Sequence, residues 1–313
     1  MGKAKKPTTK SSAKAKASSS RKPAKSARPA GARQKKPAPE APLLRPVPLY
    51  EFSAGGLTGY VRLTDPGRGI EFSGSAEGKS LPAYCQEVLS LRHYFSATDG
   101  GLSVPRESAQ CAGKVEKHAV VFCYDRLPAW PVAATARYEL LTQGGADATF
   151  AFQFSKGMAG FEAGVETLMP KSLPAVYVHT AGSWARAVMA PQTLRFYPRN
   201  IGAAELMADG RWDGLRLAGI SLVVETHGYD YPIVVARDER SGWALVHMAL
   251  TEQCTAMWLN GSQRAIGLGL IGADVQAQEK ITCRLRVVLC RADNLDGALT
   301  HYRQFVQEAR ARK

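Results

Sequence analysis

The chain has 313 residues and a formal net charge of +14, yet the excess sits almost wholly at one end. Residues 1–45 carry fourteen bases against one acid, Glu40, whereas residues 46–313 carry 27 bases and 26 acids. Basicity therefore argues for a polyanion partner at the tail alone, and the absence of any apolar run of about 18 residues argues against a membrane span.

The tail is built from Lys, Ala, Ser, Pro, Arg and Thr, and its first aliphatic residues larger than alanine after Met1 are Leu43 and Leu44. So little apolar surface cannot offset an ordering cost of roughly 1–2 kcal/mol per residue, and prolines at 7, 23, 29, 37, 39 and 42 interrupt any helix. Residues 1–45 are expected to be disordered. No apolar stretch follows the charges as a secretory signal requires, and Lys6 breaks the myristoylation pattern. The charge would draw nucleic acid or another polyanion by counterion release, without base specificity, since no aromatic residue is present to stack.

Residues 46–313 are expected to form a single domain, read mostly as strand. Short β-prone runs cover 49–53, 58–64, 69–73, 119–124, 134–141, 148–154, 160–168, 175–179, 193–198, 219–226, 232–238 and 242–250. Glycine-rich and Asp/Asn-Gly turn signals separate them, including Gly144-Gly145, Asp209-Gly210 and Asn260-Gly261. From Lys280 to Arg291 the period is two, with Ile281, Cys283, Leu285, Val287 and Leu289 on one face and Thr282, Arg284 and Arg286 on the other. The spacing then becomes helical through Leu295, Ala298, Leu299, Tyr302, Phe305, Val306 and Ala309, predicting a helix over about 295–311 with Asp293 as its N-cap. The fold class predicted is all-β: a large antiparallel β-sandwich with one C-terminal helix packed on its outside.

The six cysteines (85, 111, 123, 254, 283 and 290) show no CxxC pair, and Cys283 and Cys290 point to opposite faces of one strand. Free thiols and a reducing, intracellular compartment are expected: cytoplasmic, or nuclear in a eukaryote. The six histidines form no metal-binding spacing, and neither metal nor cofactor is expected. Gly267-Leu-Gly269-Leu-Ile-Gly272 matches GxGxxG, but no helix pattern begins at its end to offer amides to a pyrophosphate, so the glycines are read as strand packing or a bulge.

Chemistry has three candidate locations. His227-Gly-Tyr229-Asp230-Tyr231 gathers an imidazole, two phenols and a carboxylate in one turn; packed tyrosines in a turn are the plainer reading. Tyr197, Arg199 and Asn200 follow a strand at a loop rim, where Arg and Asn could neutralise an acidic sugar and Tyr or His could act as base. Trp184, Trp212, Trp243 and Trp258 could each stack on a sugar ring or simply fill a core, with His179 near Trp184.

The run Trp258-Leu-Asn260-Gly, then Ala265 to Val275, then the long strand Ile281 to Leu289, resembles the closing strands of galactose-mutarotase-like supersandwich domains, which include aldose epimerases and polysaccharide lyases. Asp125-Arg-Leu-Pro128 and the strands after it fit the same pattern. The resemblance implies a broad sandwich whose concave face holds a sugar, and, for mutarotases, a His and a Glu on that face. Glu225 and His227 are an i, i+2 pair that would share one strand face.

The expectation is a carbohydrate-binding or carbohydrate-active protein. If it is an enzyme, epimerisation or β-elimination would be carried by His227, Tyr229, Tyr197 and Arg199, with Glu225 in a lesser part. The alternative is a non-catalytic β-sandwich scaffold tethered to a polyanion by its tail.

Overall fold

A computed structural model describes residues 49–54, 57–65, 68–76, 79–97, 101–103, 113–116, 119–126, 130–198, 222–225 and 227–311. Two sheets face each other. One runs β1 (Leu49–Ala54), β2 (Leu57–Arg62), β3 (Ile70–Ala76), β4 (Lys79–Ser96), β10 (Met158–Leu168), β18 (Ala265–Val275), β17 (Cys254–Asn260), β13 (Thr193–Phe196) and β14 (Leu222–Val224), with β5 (Gly101–Ser103) beside β4. The other runs β12 (Ser183–Ala187), β11 (Ala175–Thr180), β15 (Tyr229–Arg237), β16 (Trp243–Ala249), β19 (Lys280–Arg291), β9 (Gly145–Phe154), β8 (Val132–Leu141), β7 (Ala119–Tyr124) and β6 (Gly113–Glu116). Pairing between named strands is antiparallel, as the expected sandwich requires, except at the edge, where β13 and β14 run parallel.

Alternation explains which side of each strand is buried. In β10, Phe161, Ala163 and Val165 enter the core between the sheets, as do Leu194 and Phe196 of β13 and Met257 and Leu259 of β17. In β19, Cys283, Leu285, Val287 and Leu289 enter the same core, as their period predicts, with Ile281 packed at its margin.

The strands β15 and β16 are apolar on both faces because both are covered. Val234, Ala236 and Leu245 face the sandwich core, while Ile233, Val235, Val246 and Met248 face outward against helix α1 (Leu295–Ala311). Ala298, Tyr302, Phe305 and Ala309 are the helix's half of that second core. The cap lies one residue later than expected: Asn294, not Asp293, accepts from the N–H of Gly297 through Oδ1 (3.1 Å), the N-cap to N3 bond. The Asp293 carbonyl instead accepts from Arg237. Among the described residues no helix is long and apolar enough to cross a membrane.

The eighteen-residue β4 has no counterpart among the runs read from sequence. Its pairing with β10 shifts register twice, and Glu87 and Leu89 have φ of 50° and 53°, so the strict alternation that marks a strand is broken along it. Of the expected strand at 219–226, residues 222–224 are strand and 225 is not, while 219–221 and 226 lie outside the described residues.

Of the described cysteines, Cys85, Cys254 and Cys283 are buried, Cys290 is half-buried and Cys123 exposed, and all five are free thiols. Burial pushes the three buried thiols up to about 12, which keeps them protonated and unreactive at neutral pH.

His247 is the exception among the apolar residues of β16. It stands opposite Val234 and Val287, and its Nε2 has no hydrogen-bond partner among the described residues. Burial lowers its pKa to about 3, against roughly 6.5 in an unfolded chain. The unfolded state therefore takes a proton that the folded state refuses as pH falls from about 6.5 towards 3, and stability drops by up to about 1.4 kcal/mol per pH unit. Urea titrations of wild type and His247→Leu across this range are expected to show a steeper acid loss in wild type, the difference disappearing above pH 7.

Candidate functional site

The outer face of the ten-stranded sheet carries a concentrated polar cluster. The residues alternating with the core-facing ones come together there: His93 of β4, Glu162 and Glu166 of β10, Trp258 of β17 and Arg195 of β13, with Tyr197 just past the end of β13. Registers place Gly164 opposite His93, Gly267 opposite both Glu166 and Trp258, and Arg195 opposite Trp258.

Two glycines make the floor on which the rings lie. A Cβ on Gly164 would stand 2.0 Å from Cε1 of His93, and one on Gly267 would stand 1.8 Å from Cε2 of Trp258. The first two glycines of the GxGxxG match thus lie inside β18 and, as expected, serve packing rather than nucleotide binding. His93 and Trp258 lie with ring centroids 5.3 Å apart.

The charges are dry. Glu162 has no exposed surface and Arg195 only 2 %, and the two form an ion pair through Oε2 and Nη2. Arg195 also donates from Nε to the Tyr197 hydroxyl (3.1 Å) and stacks over the rings of Tyr197 and Trp258 at 5.4 and 5.3 Å. Burial opposes the guanidinium's charge, but Glu162 and Tyr197 outweigh it and raise its pKa. Trp258 Nε1 donates to Glu166 Oε1 (2.8 Å), and Arg92 donates to the other oxygen of Glu166 (3.3 Å) and to Glu87 (3.2 Å). His93 Nε2 lies 3.7 Å from Glu162 Oε1, beyond hydrogen-bond reach, and has no hydrogen-bond partner among the described residues.

The residues singled out from sequence divide among several places. Tyr197 and Trp258 belong to this cluster. His179 and Trp184 meet in the other sheet, rings 5.2 Å apart, with His179 Nδ1 2.9 Å from Asp230 Oδ2. Tyr229 lies between the two regions: its N–H donates to the Tyr197 carbonyl (2.8 Å), and its buried hydroxyl donates to the Cys254 carbonyl (2.7 Å). Burial raises the Tyr229 pKa well above the usual phenol value, which disfavours its use as a base.

Glu225 and His227 do not share a strand face, because β14 ends at Val224; Glu225 gives its backbone N–H to the Arg195 carbonyl, and His227 is exposed. Trp243 is half-buried beside Arg291 at the start of β16. Arg199, Asn200 and Trp212 lie outside the described residues.

His93, Glu162, Glu166 and Arg195 have no local motif that would reveal them. The available signal was an ionisable residue between core-facing apolar ones, as in Phe161-Glu162-Ala163 and Leu194-Arg195-Phe196. Among the described residues no group of three His, Cys, Asp or Glu side chains could hold a metal ion.

No protein-family model matches the chain. No curated protein matches it either. Solved structures do. An α-N-acetylgalactosaminidase from Bifidobacterium bifidum, determined with N-acetylgalactosamine, is 12 % identical with a TM-score of 0.50, over 83 % of this chain and 39 % of that one. This chain thus spans about two fifths of that enzyme's length, and the likeness is one of fold. An aldose epimerase homologue from C. elegans (7 % identity, TM-score 0.44, 78 % of this chain and 99 % of that one) and a galactose 1-epimerase from Lactobacillus acidophilus (11 %, 0.39, 78 % and 98 %) superpose less well and add no weight. The fold is galactose-mutarotase-like. The β-sandwich and its resemblance therefore stand as expected, while activity does not follow from them.

Removing one member of the buried pair strands the other. Arg195→Met is expected to lose about 3–5 kcal/mol of stability, read as a fall in urea midpoint. Gly267→Ala, which forces the indole from its floor, is expected to cost about 1–3 kcal/mol and to shift tryptophan emission as Trp258 moves.

Proposed function

We propose that the chain acts on a carbohydrate by general acid/base chemistry at the outer face of the ten-stranded sheet, with His93 and Glu162 as the proton-transferring pair. The observation that carries this is His93 Nε2: it is buried, lacks a hydrogen-bond partner among the described residues, and stands 3.7 Å from a carboxylate whose other oxygen is held by Arg195. His247 also has an unpartnered Nε2, but it stands among valines inside the sandwich, whereas that of His93 faces a carboxylate. A His and a Glu on one sheet face is also the pairing that the resemblance to mutarotases led us to expect, in different residues.

Epimerisation at an anomeric carbon suits the pair better than β-elimination. The pair takes the proton of the anomeric hydroxyl and gives one to the ring oxygen, with His93 facing the sugar and Glu162, which has no exposed surface and whose charge Arg195 compensates, behind it. The ring C–O bond opens, the carbonyl turns, and closure on its other face returns both protons. Arg195 and Tyr197 position the carboxylate, and Trp258 offers its indole edge as a wall.

The test is polarimetry of freshly dissolved α-D-galactose, α-D-glucose and N-acetyl-α-D-galactosamine with the full chain. Wild type is expected to speed equilibration, and His93→Asn, folded by circular dichroism, to reduce that rate by about 10²–10⁴-fold. No acceleration of any of the three sugars by wild type would sink the proposal and return the chain to the scaffold reading. The tail reading rests on charge alone: deletion of residues 1–45 is expected to abolish salt-sensitive retention on heparin or DNA, and undiminished retention would refute it.

A further inference from the structure

A second region has the makings of a ligand site on a different sheet. Between β11, β15 and helix α1 lies an open cleft of about 870 Å³, within the roughly 300–1,000 Å³ typical of small-molecule sites. Tyr231, 38 % exposed, presents its ring there, braced by His179 at 5.1 Å and Tyr302 at 5.5 Å between centroids. The Tyr302 hydroxyl is tied to Thr251 (2.8 Å), which fixes that side of the brace. On the other side, Asp230 Oδ2 accepts from the Gly182 N–H (2.7 Å) and pairs with His179 Nδ1 (2.9 Å). In the neutral tautomer whose Nδ1–H donates to the carboxylate, the His179 Nε2 is an acceptor.

The helix supplies the polar wall. Asp296 and Arg303 are two turns apart, so they share one face, and both line the cleft. Both are exposed, and neither forms an ion pair among the described residues. One carboxylate and one guanidinium leave the helix wall neutral, and the second carboxylate of the cleft, Asp230, is engaged by the Gly182 N–H and His179. The cleft offers acceptors and donors around a flat apolar ring. The matching ligand has an apolar face and a hydroxylated rim.

We propose that this cleft binds a single neutral sugar ring, stacked on Tyr231 and held by Asp296, Arg303 and His179, as a site separate from the His93–Glu162 cluster. It is a binding site, with no reaction assigned to it.

The experiment is saturation-transfer NMR and calorimetry of the full chain with methyl α- and β-D-galactopyranoside, N-acetyl-D-galactosamine and maltotriose. At least one probe is expected to bind, with transfer strongest to the ring C–H protons. In a His93→Asn background, which removes the other site's contribution, Tyr231→Ala is expected to weaken the remaining binding about tenfold or more and Tyr231→Phe to preserve it. Should Tyr231→Ala prove poorly folded, the surface pair Asp296→Asn with Arg303→Gln is expected to weaken binding to a similar degree. Failure of all four probes to bind overturns the proposal. So does the loss of all binding in the His93→Asn background, or binding in that background that survives both the tyrosine and the helix variants.

Discussion

A carboxylate with no exposed surface needs a positive charge at its side, and the outer face of the larger sheet is organised by that requirement. Glu162 sits on β10 and Arg195 on β13, separated in the sheet by β18 and β17. Gly269 on the intervening β18 leaves room for the carboxylate, since a Cβ there would stand 2.9 Å from Glu162 Cδ, and Trp258 lies beside the guanidinium as a flat support. Desolvating two such charges is expensive, and attraction alone repays it only where the remaining donors are also satisfied. The Tyr197 hydroxyl satisfies one of them. The cluster thus fixes the relative positions of four strands more narrowly than apolar packing would.

The other sheet is stabilised differently. Its central strands are dry on both faces, with the sandwich core on one side and the helix on the other, and its polar contacts gather at the margins. Arg286 illustrates the boundary: it projects to the helix side, buried, paired with Asp147 of β9 and with Glu308 of the helix, and stacks on Phe305. This single side chain joins strand, neighbouring strand and helix, so docking of the helix is directional as well as hydrophobic.

The sequence made the fold legible wherever alternation was uninterrupted. The strand from Lys280 and the helix after it could be read almost residue by residue, because period two gives way to period 3.6 within a few positions. The long strand β4 was illegible for the opposite reason: bulges and left-handed residues scramble its period. The cluster on the outer face was illegible for a third reason. Its members come one or two per strand from positions 93 to 258, and what unites them is register, which no local pattern encodes. Reading local motifs favoured His227 with Glu225, whose proximity in the chain did not survive the end of β14. Tyr197 and Trp258 were found for their residue type, and the charged groups they serve were not.

The helix that covers β15 and β16 also has a consequence for how the chain is made. Those strands and the whole of the second core's sheet half are synthesised before the segment that covers them, residues 295–311. At about 5–20 residues per second, an apolar surface containing Ile233, Val235, Val246 and Met248 stands bare on the nascent chain for a period on the order of several seconds. A ribosome that pauses between β16 and the helix would prolong that interval, making the nascent chain a client for chaperones that shield hydrophobic faces.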